Sequence, residues 1–282
     1  MSRVSFLNGQ LLPHDQCLVH IEDRGFQFAD GVYEVILLKN NRLIDIDWHL
    51  DRLFHSLGEL QIKFDQNHDQ LKKIILDLFS QNNLSDGSVY LQITRGFASR
   101  QQAFPPNYTP TISITVSPLK AIDPQSFDDG LSVITHEDIR WKRCNIKSIG
   151  LIAQSFIKQK AFEAGADDAI MIRDGYITEA TFANVFMIDA TGNLITKNAD
   201  NLILCGITRN RIIQLAQQNN IVVLEKQFTL AELLLAGEVF LSSTTLLVRP
   251  VSKIDGNVIG SGKAGKISKK LLGLYNQFIT NQ

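Results

Sequence analysis

Several things are scarce in this 282-residue sequence, and each scarcity narrows what it can be. There are three cysteines, Cys17, Cys144 and Cys205, far apart and with no CxxC pair among them. Neither a disulfide framework nor a zinc site is signalled, and a reduced cytoplasm is the simplest home. No apolar run approaches the ~20 residues that a membrane helix needs. Leu233 to Ala236 is apolar but short, and reads as part of a core helix. Residues 1–20 show no basic stretch followed by an apolar one, so no secretory leader is expected. Charge of one sign is not in excess: 28 Lys and Arg face 29 Asp and Glu, for a formal net charge of −1. That balance argues against a dedicated nucleic-acid or membrane-surface binder. GxGxxG and GxxxxGK[ST] are both missing, which leaves the common dinucleotide and P-loop readings without support. No His, Asp or Glu cluster has metal-ligand spacing, so no metal is expected. Repeats and low-complexity tracts are also lacking.

What remains is an ordinary globular composition, 44% hydrophobic and 20% charged, long enough for one large or two medium domains. Val32 to Lys39 is rich in strand formers, and Arg42 to Ile44 follows across Asn40-Asn41, a hairpin-like pair. Leu50, Leu53, Leu57 and Leu60 then mark one face of a helix beginning near Asp47, a plausible N-cap. A second helix carries Leu71, Ile74, Ile75, Leu78 and Phe79, and strands follow at Val89–Thr94 and Thr111–Val116. Residues 119–130 break the pattern with Pro, Asp and Gly and read as a linker. Beyond it come strands at Leu131–Thr135, Ala169–Arg173, Ala183–Asp189 and Val239–Ser243. Helices are expected at Leu151–Ala164, Thr208–Asn219, Leu230–Ala236 and from about Lys263. The interleaving predicts an α/β (α+β) chain of two domains, about 1–120 and 129–282, the smaller first and the larger second carrying Lys147.

Five local features could carry chemistry. Arg140-Trp141-Lys142-Arg143-Cys144-Asn145-Ile146-Lys147-Ser148 is basic, follows a strand and precedes a helix. A lysine crowded by cations and partly buried has a depressed pKa and suits Schiff-base chemistry, though a solvated basic turn is the commoner meaning of such a run. Cys205-Gly206-Ile207-Thr208 opens a helix, where free N–H groups can bind phosphate or a threonine can simply cap. Ser242-Ser243-Thr244-Thr245 ends a strand with hydroxyls that could hold an anion or make a polar turn. Arg52 falls on the polar side of its helix, usually a surface position. Glu179 is by itself an ordinary acid near a strand.

Taken in order, the segments resemble one family. Glu22-Asp23-Arg24-Gly25-Phe26-Gln27-Phe28-Ala29-Asp30-Gly31-Val32-Tyr33-Glu34-Val35, His49-Leu50-Asp51-Arg52-Leu53 and Asp138-Ile139-Arg140-Trp141 through Ile146-Lys147-Ser148 resemble successive signatures of the fold-type-IV pyridoxal-phosphate (PLP) aminotransferases. So do Ile177-Thr178-Glu179-Ala180 with Asn184-Val185-Phe186, Leu202 through Arg209, and Ser243-Thr244-Thr245. The wording around the lysine, with Thr94-Arg95-Gly96, Arg100 and Ala103-Phe104-Pro105, is nearest the D-amino-acid (D-alanine) type. Branched-chain aminotransferases and 4-amino-4-deoxychorismate lyases are the neighbouring types.

The resemblance implies a role for each matching residue. Lys147 would carry PLP as a Schiff base and act as general base and acid. Glu179 would pair with the pyridine nitrogen. Arg52 would bind the phosphate by charge-assisted hydrogen bonds, with Gly206, Ile207 and Thr208 adding a helix N-terminus and Ser243 and Thr244 hydroxyls. Leu204 would pack on the ring. Tyr33 and Arg100 would bind the substrate carboxylate, beside Gln102 where the D-alanine type usually has histidine. Leu246, Leu247 and Arg249 also depart from the pattern usual in the family. Amino-acid and 2-oxo-acid substrates and a homodimer follow from the same resemblance.

Overall fold

A computed structural model describes residues 3–119 and 123–281. Contacts divide the chain into two compact units, Met1–Leu119 with Ile146–Leu151, and Lys120–Asn145 with Ile152–Gln282.

The first unit holds β1 (Val4–Leu7), β2 (Gln10–Pro13), α1 (Arg24–Phe28), β3 (Gly31–Lys39), β4 (Arg42–Leu43), α2 (Ile46–Glu59), α3 (His68–Gln81), β5 (Gly87–Thr94) and β6 (Thr111–Ser117). Its strands form one sheet in the order β2-β1-β6-β5-β3-β4. Each pairing is antiparallel. Asn40 and Asn41, with φ of 50° and 62°, make the tight reversal from β3 to β4 that their side chains tolerate well. Alternation along β3 sends Val32, Ile36 and Leu38 into a core with Leu50, Leu53 and Leu57 of α2 and Leu71, Ile75 and Leu78 of α3. Each such leucine, fully buried, contributes about 1.5–3 kcal/mol.

Two expectations need correction in this region. Helix α2 is capped not by Asp47 but at Asp45, whose φ of 51° turns the chain into the helix without a side-chain cap. Asp47 lies in the first turn and pairs with Lys72 at 2.6 Å. Ile146–Leu151, and Lys147 with it, groups with the first unit, where the sequence alone places it in the larger one. Backbone hydrogen bonds explain this. Tyr33 N donates to the Lys147 carbonyl and Ile149 N to that of Gly31, both at 3.0 Å, and Val32 bridges Ser148. Strand β4 pairs only with Leu38 and Lys39, which leaves the Gly31–Tyr33 end of β3 open to the lysine segment.

The second unit contains α4 (Pro124–Asp129), β7 (Leu131–Glu137), α5 (Ile152–Glu163), β8 (Asp168–Arg173), β9 (Tyr176–Ala180), β10 (Asn184–Ile188), β11 (Leu194–Thr196), α6 (Ile207–Gln218), β12 (Val223–Glu225), α7 (Leu230–Leu234), β13 (Glu238–Ser243), β14 (Leu247–Ile254), β15 (Asn257–Val258) and α8 (Lys266–Asn281). Its sheet runs β12-β11-β10-β13-β14-β7-β8-β9, with β15 on β14. Pairings β14/β7 and β7/β8 are parallel and leave a crossover between β7 and β8 to carry residues 138–167. Phe228, Phe240, Leu241 and Ile254 are fully buried.

Part of the expected linker is a helix. Asp123 accepts from Ser126 N at 3.0 Å and Pro124 stands in the first turn, so residues 124–129 fold as α4. Residues 120–122 lie outside the described residues. Among the described residues no helix is long and apolar enough to cross a membrane.

Candidate active site

Two clusters of buried charge stand out, one in each unit. In the first unit, α2 turns His49, Arg52 and Ser56 toward β3 and the lysine segment, at the i, i+3, i+7 spacing of one helical face. Glu34 on β3, fully buried, is their counterpart. Arg52 Nε and Nη2 donate to its two oxygens at 2.7 and 2.8 Å, and His49 Nδ1 lies 2.7 Å from Oε2. Burial alone would push the Glu34 carboxyl up. Arg52 and His49 overcome that and bring it down to about 2, so this group is an anion at any ordinary pH. Burial pulls the His49 pKa down, aided by Arg52 and Lys147 and opposed by Glu34.

Lys147 is half-buried in this cluster. Its N–H donates to Ser56 Oγ at 3.2 Å, and its ammonium stands 4.2 Å from the centre of the Tyr33 ring. Tyr33 points to the sheet face opposite Glu34 and stacks on Tyr90 at 5.5 Å. The structure thus brings Tyr33, Arg52 and Lys147 together. Arg52 is 10% exposed in its side chain, not the surface residue its helical position suggested. Arg100 and Gln102 are exposed. Arg100 Nη1 makes one long contact to Gln27 at 3.5 Å and its guanidinium lies 4.7 Å from the Phe28 ring centre.

In the second unit the centre is Glu179, at 5% exposure. Arg140 Nη1 donates to its Oε1, Asn184 Nδ2 to its Oε2 at 3.0 Å, and Leu204 N to both oxygens at 3.2 Å. Burial pushes the Glu179 carboxyl up, and Arg140 and Leu204 offset this only in part. Leu204 therefore contacts Glu179 through its backbone as well as offering a half-buried side chain.

Asn184 links this carboxylate to the start of α6. It also donates to the Leu204 carbonyl at 2.9 Å, and a Cβ on Gly206 would fall 2.1 Å from its Oδ1. Only glycine lets the helix begin here. Gly206 is the N-cap of α6 with no side-chain hydrogen bond, and Thr208 is buried in the first turn. Across the sheet Asn184 pairs with Ser242, whose buried hydroxyl has no partner among the described residues. Ser243 and Thr244 follow in the turn into β14, and Ser243 Oγ accepts from Leu246 N at 3.3 Å. Leu247 closes that turn at φ 55°, an uncommon conformation for leucine.

Each unit carries groups of the kind that a phosphorylated pyridine aldehyde needs. An uncapped helix start beside an unpaired buried hydroxyl suits a phosphate. A buried carboxylate suits a protonated ring nitrogen, and in the other unit a half-buried amine suits an aldehyde.

The class IV aminotransferase family model matches residues 31–254. The chain belongs to the class IV aminotransferases. It is 44% identical over 265 residues to the D-alanine aminotransferase of Bacillus licheniformis, covering 94% of this chain and 93% of that one. The corresponding protein of Listeria monocytogenes serotype 4b (strain F2365) is 40% identical, over 94% and 92% of the two chains. In fold it is similar to the Escherichia coli branched-chain amino acid aminotransferase, with a TM-score of 0.94 at 24% identity over 99% of this chain and 95% of that one. It is equally similar, at 22% identity and the same TM-score, to the T.th. branched-chain amino acid aminotransferase solved with pyridoxamine 5'-phosphate, covering 100% and 95%. The enzyme is a two-unit α/β protein of fold type IV and a PLP-dependent aminotransferase.

Sequence reasoning missed Glu34, His49, Ser56 and Asp138, the last paired with Arg140 at 2.8 Å, as members of these clusters. The first three share one signal, polar residues at spacings that point them into an apolar core. Val32-x-Glu34-x-Ile36 alternates on β3, and His49, Arg52 and Ser56 flank the leucines of α2.

Proposed function

We propose that the enzyme transaminates D-amino acids, D-alanine foremost, with a 2-oxo acid such as 2-oxoglutarate as acceptor. The observation that carries this reading is the 44% identity to a D-alanine aminotransferase along nearly the full length of both chains. When bound, PLP supplies an electron sink that makes the substrate's α-proton acidic.

The chain's own residues do the rest. Lys147 would hold the cofactor through Nζ, and its amine would move the proton at the substrate's α-carbon. Its backbone is fixed at both sides of the residue's peptide groups, by Ser56 Oγ and by Tyr33 N, so only the side chain needs to swing. Arg52, oriented by two bonds to Glu34, would bind the phosphate, as would the N–H groups of Ile207 and Thr208 and the hydroxyls of Ser243 and Thr244. Glu179 would pair with the ring nitrogen, and Leu204 would pack on the ring. Tyr33 donates to the substrate carboxylate. Arg100 supplies a cation to it, and Gln102 a neutral donor where a histidine is usual in the D-alanine type. The active unit is a homodimer in the cytoplasm.

Steady-state turnover with D-alanine, L-leucine and aminodeoxychorismate side by side tests the reading. D-alanine should be the best amino donor. Faster turnover of L-leucine, or release of 4-aminobenzoate from aminodeoxychorismate with negligible D-alanine transamination, would replace it.

A further inference from the structure

Glu179 does not stand alone with one arginine. Behind Arg140 lies Asp138, almost fully buried, which accepts from Arg140 Nε at 2.9 Å through Oδ1 and from Nη2 at 2.8 Å through Oδ2. The Arg140 backbone N–H closes on the same Oδ1 at 3.1 Å. Arg173 on β8 stands 3.0 Å from Asp138 Oδ1, and Thr178 on β9 donates to Oδ2 at 2.9 Å. Arg140 Nη2 further donates to the Leu202 carbonyl at 3.1 Å. The guanidinium is therefore held on two edges before Nη1 reaches Glu179. Charges alternate in one buried row, Arg173, Asp138, Arg140, Glu179. Of the other groups facing Glu179, Asn184 and Leu204 N are neutral donors, and the thiol of Cys144 is pushed up to about 11, chiefly by burial, and so is neutral.

We propose that Asp138 and Arg140 are a positioning pair for Glu179: Asp138 fixes the plane of the guanidinium, and the guanidinium sets where the Glu179 carboxylate lies and how much negative charge it keeps. The proposal rests on the reading of Glu179 as partner of the cofactor's ring nitrogen. Two opposed effects follow. Arg140 stabilises the anion of Glu179, while Asp138 repels it and takes up part of the arginine's charge. Removing one member should therefore shift Glu179 in the direction opposite to removing the other.

The test uses Arg140→Met, Arg140→Lys and Asp138→Asn. In the apoprotein, the infrared carbonyl band of protonated Glu179, identified by its loss in Glu179→Gln, is titrated against pH. In the PLP-loaded enzyme, the pH profile of kcat/KM for D-alanine is recorded. Arg140→Met should raise the infrared midpoint by about 1–3 units, the usual effect of losing an adjacent opposite charge. Asp138→Asn should lower it. Arg140→Lys should return the midpoint toward wild type but not restore kcat, because an ammonium cannot hold the fork. This variant also keeps the test open if the methionine protein does not fold. The acid limb of the pH profile should follow each infrared shift. Midpoints unmoved in folded variants that merely melt earlier would overturn the proposal, as would movement in the same direction in Arg140→Met and Asp138→Asn. Infrared midpoints that shift in opposite directions beneath an unchanged pH profile would uphold the pair and remove Glu179 from the ring nitrogen, a failure of the underlying reading alone.

Discussion

Glu34 and Glu179 occupy comparable settings in the two units. Each carboxylate is buried, each is met by an arginine, and each accepts from a second polar side chain, His49 or Asn184. Their acidities nevertheless part: Glu34 goes down to about 2, and Glu179 goes up. Burial is the largest influence on both and raises both, so the neighbours decide. Arg52 gives Glu34 two donors. Arg140 gives Glu179 only one, because Asp138 occupies its other edge. The second neighbour differs too, an imidazole beside Glu34 and a neutral amide beside Glu179. An ion pair in a low-dielectric interior thus fixes a charge only when its cation is not already shared. The first arrangement suits a permanent scaffold for Arg52, and the second a group whose proton affinity matters to a ring nitrogen.

The sharpest way to break the comparison is to neutralise each carboxylate. Glu179→Gln should lower kcat by about 10²–10³, the loss typical of one preorganised electrostatic partner, while leaving the apoprotein as stable at pH 8 as wild type or more so. With a raised folded-state pKa, ionising Glu179 costs stability as pH rises past the unfolded value, and glutamine removes that cost. A large fall in apoprotein melting temperature at pH 8 would contradict this.

Glu34→Gln should behave oppositely. The depressed pKa contributes about 3 kcal/mol of stability above the ordinary carboxyl pKa, a contribution lost as pH falls from about 4.5 toward 2. Urea melts at pH 7 should show a loss of that size, and PLP affinity should weaken as Arg52 loses its hold. Equal stability of mutant and wild type at pH 7 would show that Arg52 and His49 do not hold Glu34 as an anion.

Smaller effects are expected at the exposed carboxylate-binding candidates, which belong to neither buried cluster. Arg100→Ala should raise KM for D-alanine roughly ten- to a hundredfold, about 1.5–3 kcal/mol for a hydrogen bond to a charged group. A KM indifferent to Arg100 would remove it from the substrate. Gln102→His should do least: it adds a group with a pKa of ~6.5 and so an inflection on the acid side of kcat/KM. An unaltered profile would place Gln102 away from the substrate carboxylate.

Much of the fold was legible because its strands and helices follow periods of 2 and 3.6 in apolar residues, as on β3 and α2. The ordered motifs picked out Lys147, Arg52 and Glu179. What escaped was polar. Arg52 read as part of the wet side of α2, since a buried charged face and a solvated one have the same composition, and only the Glu34 opposite tells them apart. The place of Lys147 in the first unit was not readable either, because main-chain hydrogen bonds to Gly31 and Tyr33 carry it. The α4 helix was half-readable: Asp123 followed by Pro124 is a helix start, but Pro, Asp and Gly together also describe a linker.

The central claim is that Lys147 carries the cofactor. Borohydride reduction of the PLP-loaded enzyme, followed by proteolysis and mass spectrometry, tests it most directly. Reduction should abolish activity and leave a phosphopyridoxyl group on the peptide containing Lys147, with the label absent from Lys147→Ala. A label on another lysine, or a wild-type enzyme that stays active and unlabelled, would contradict the account.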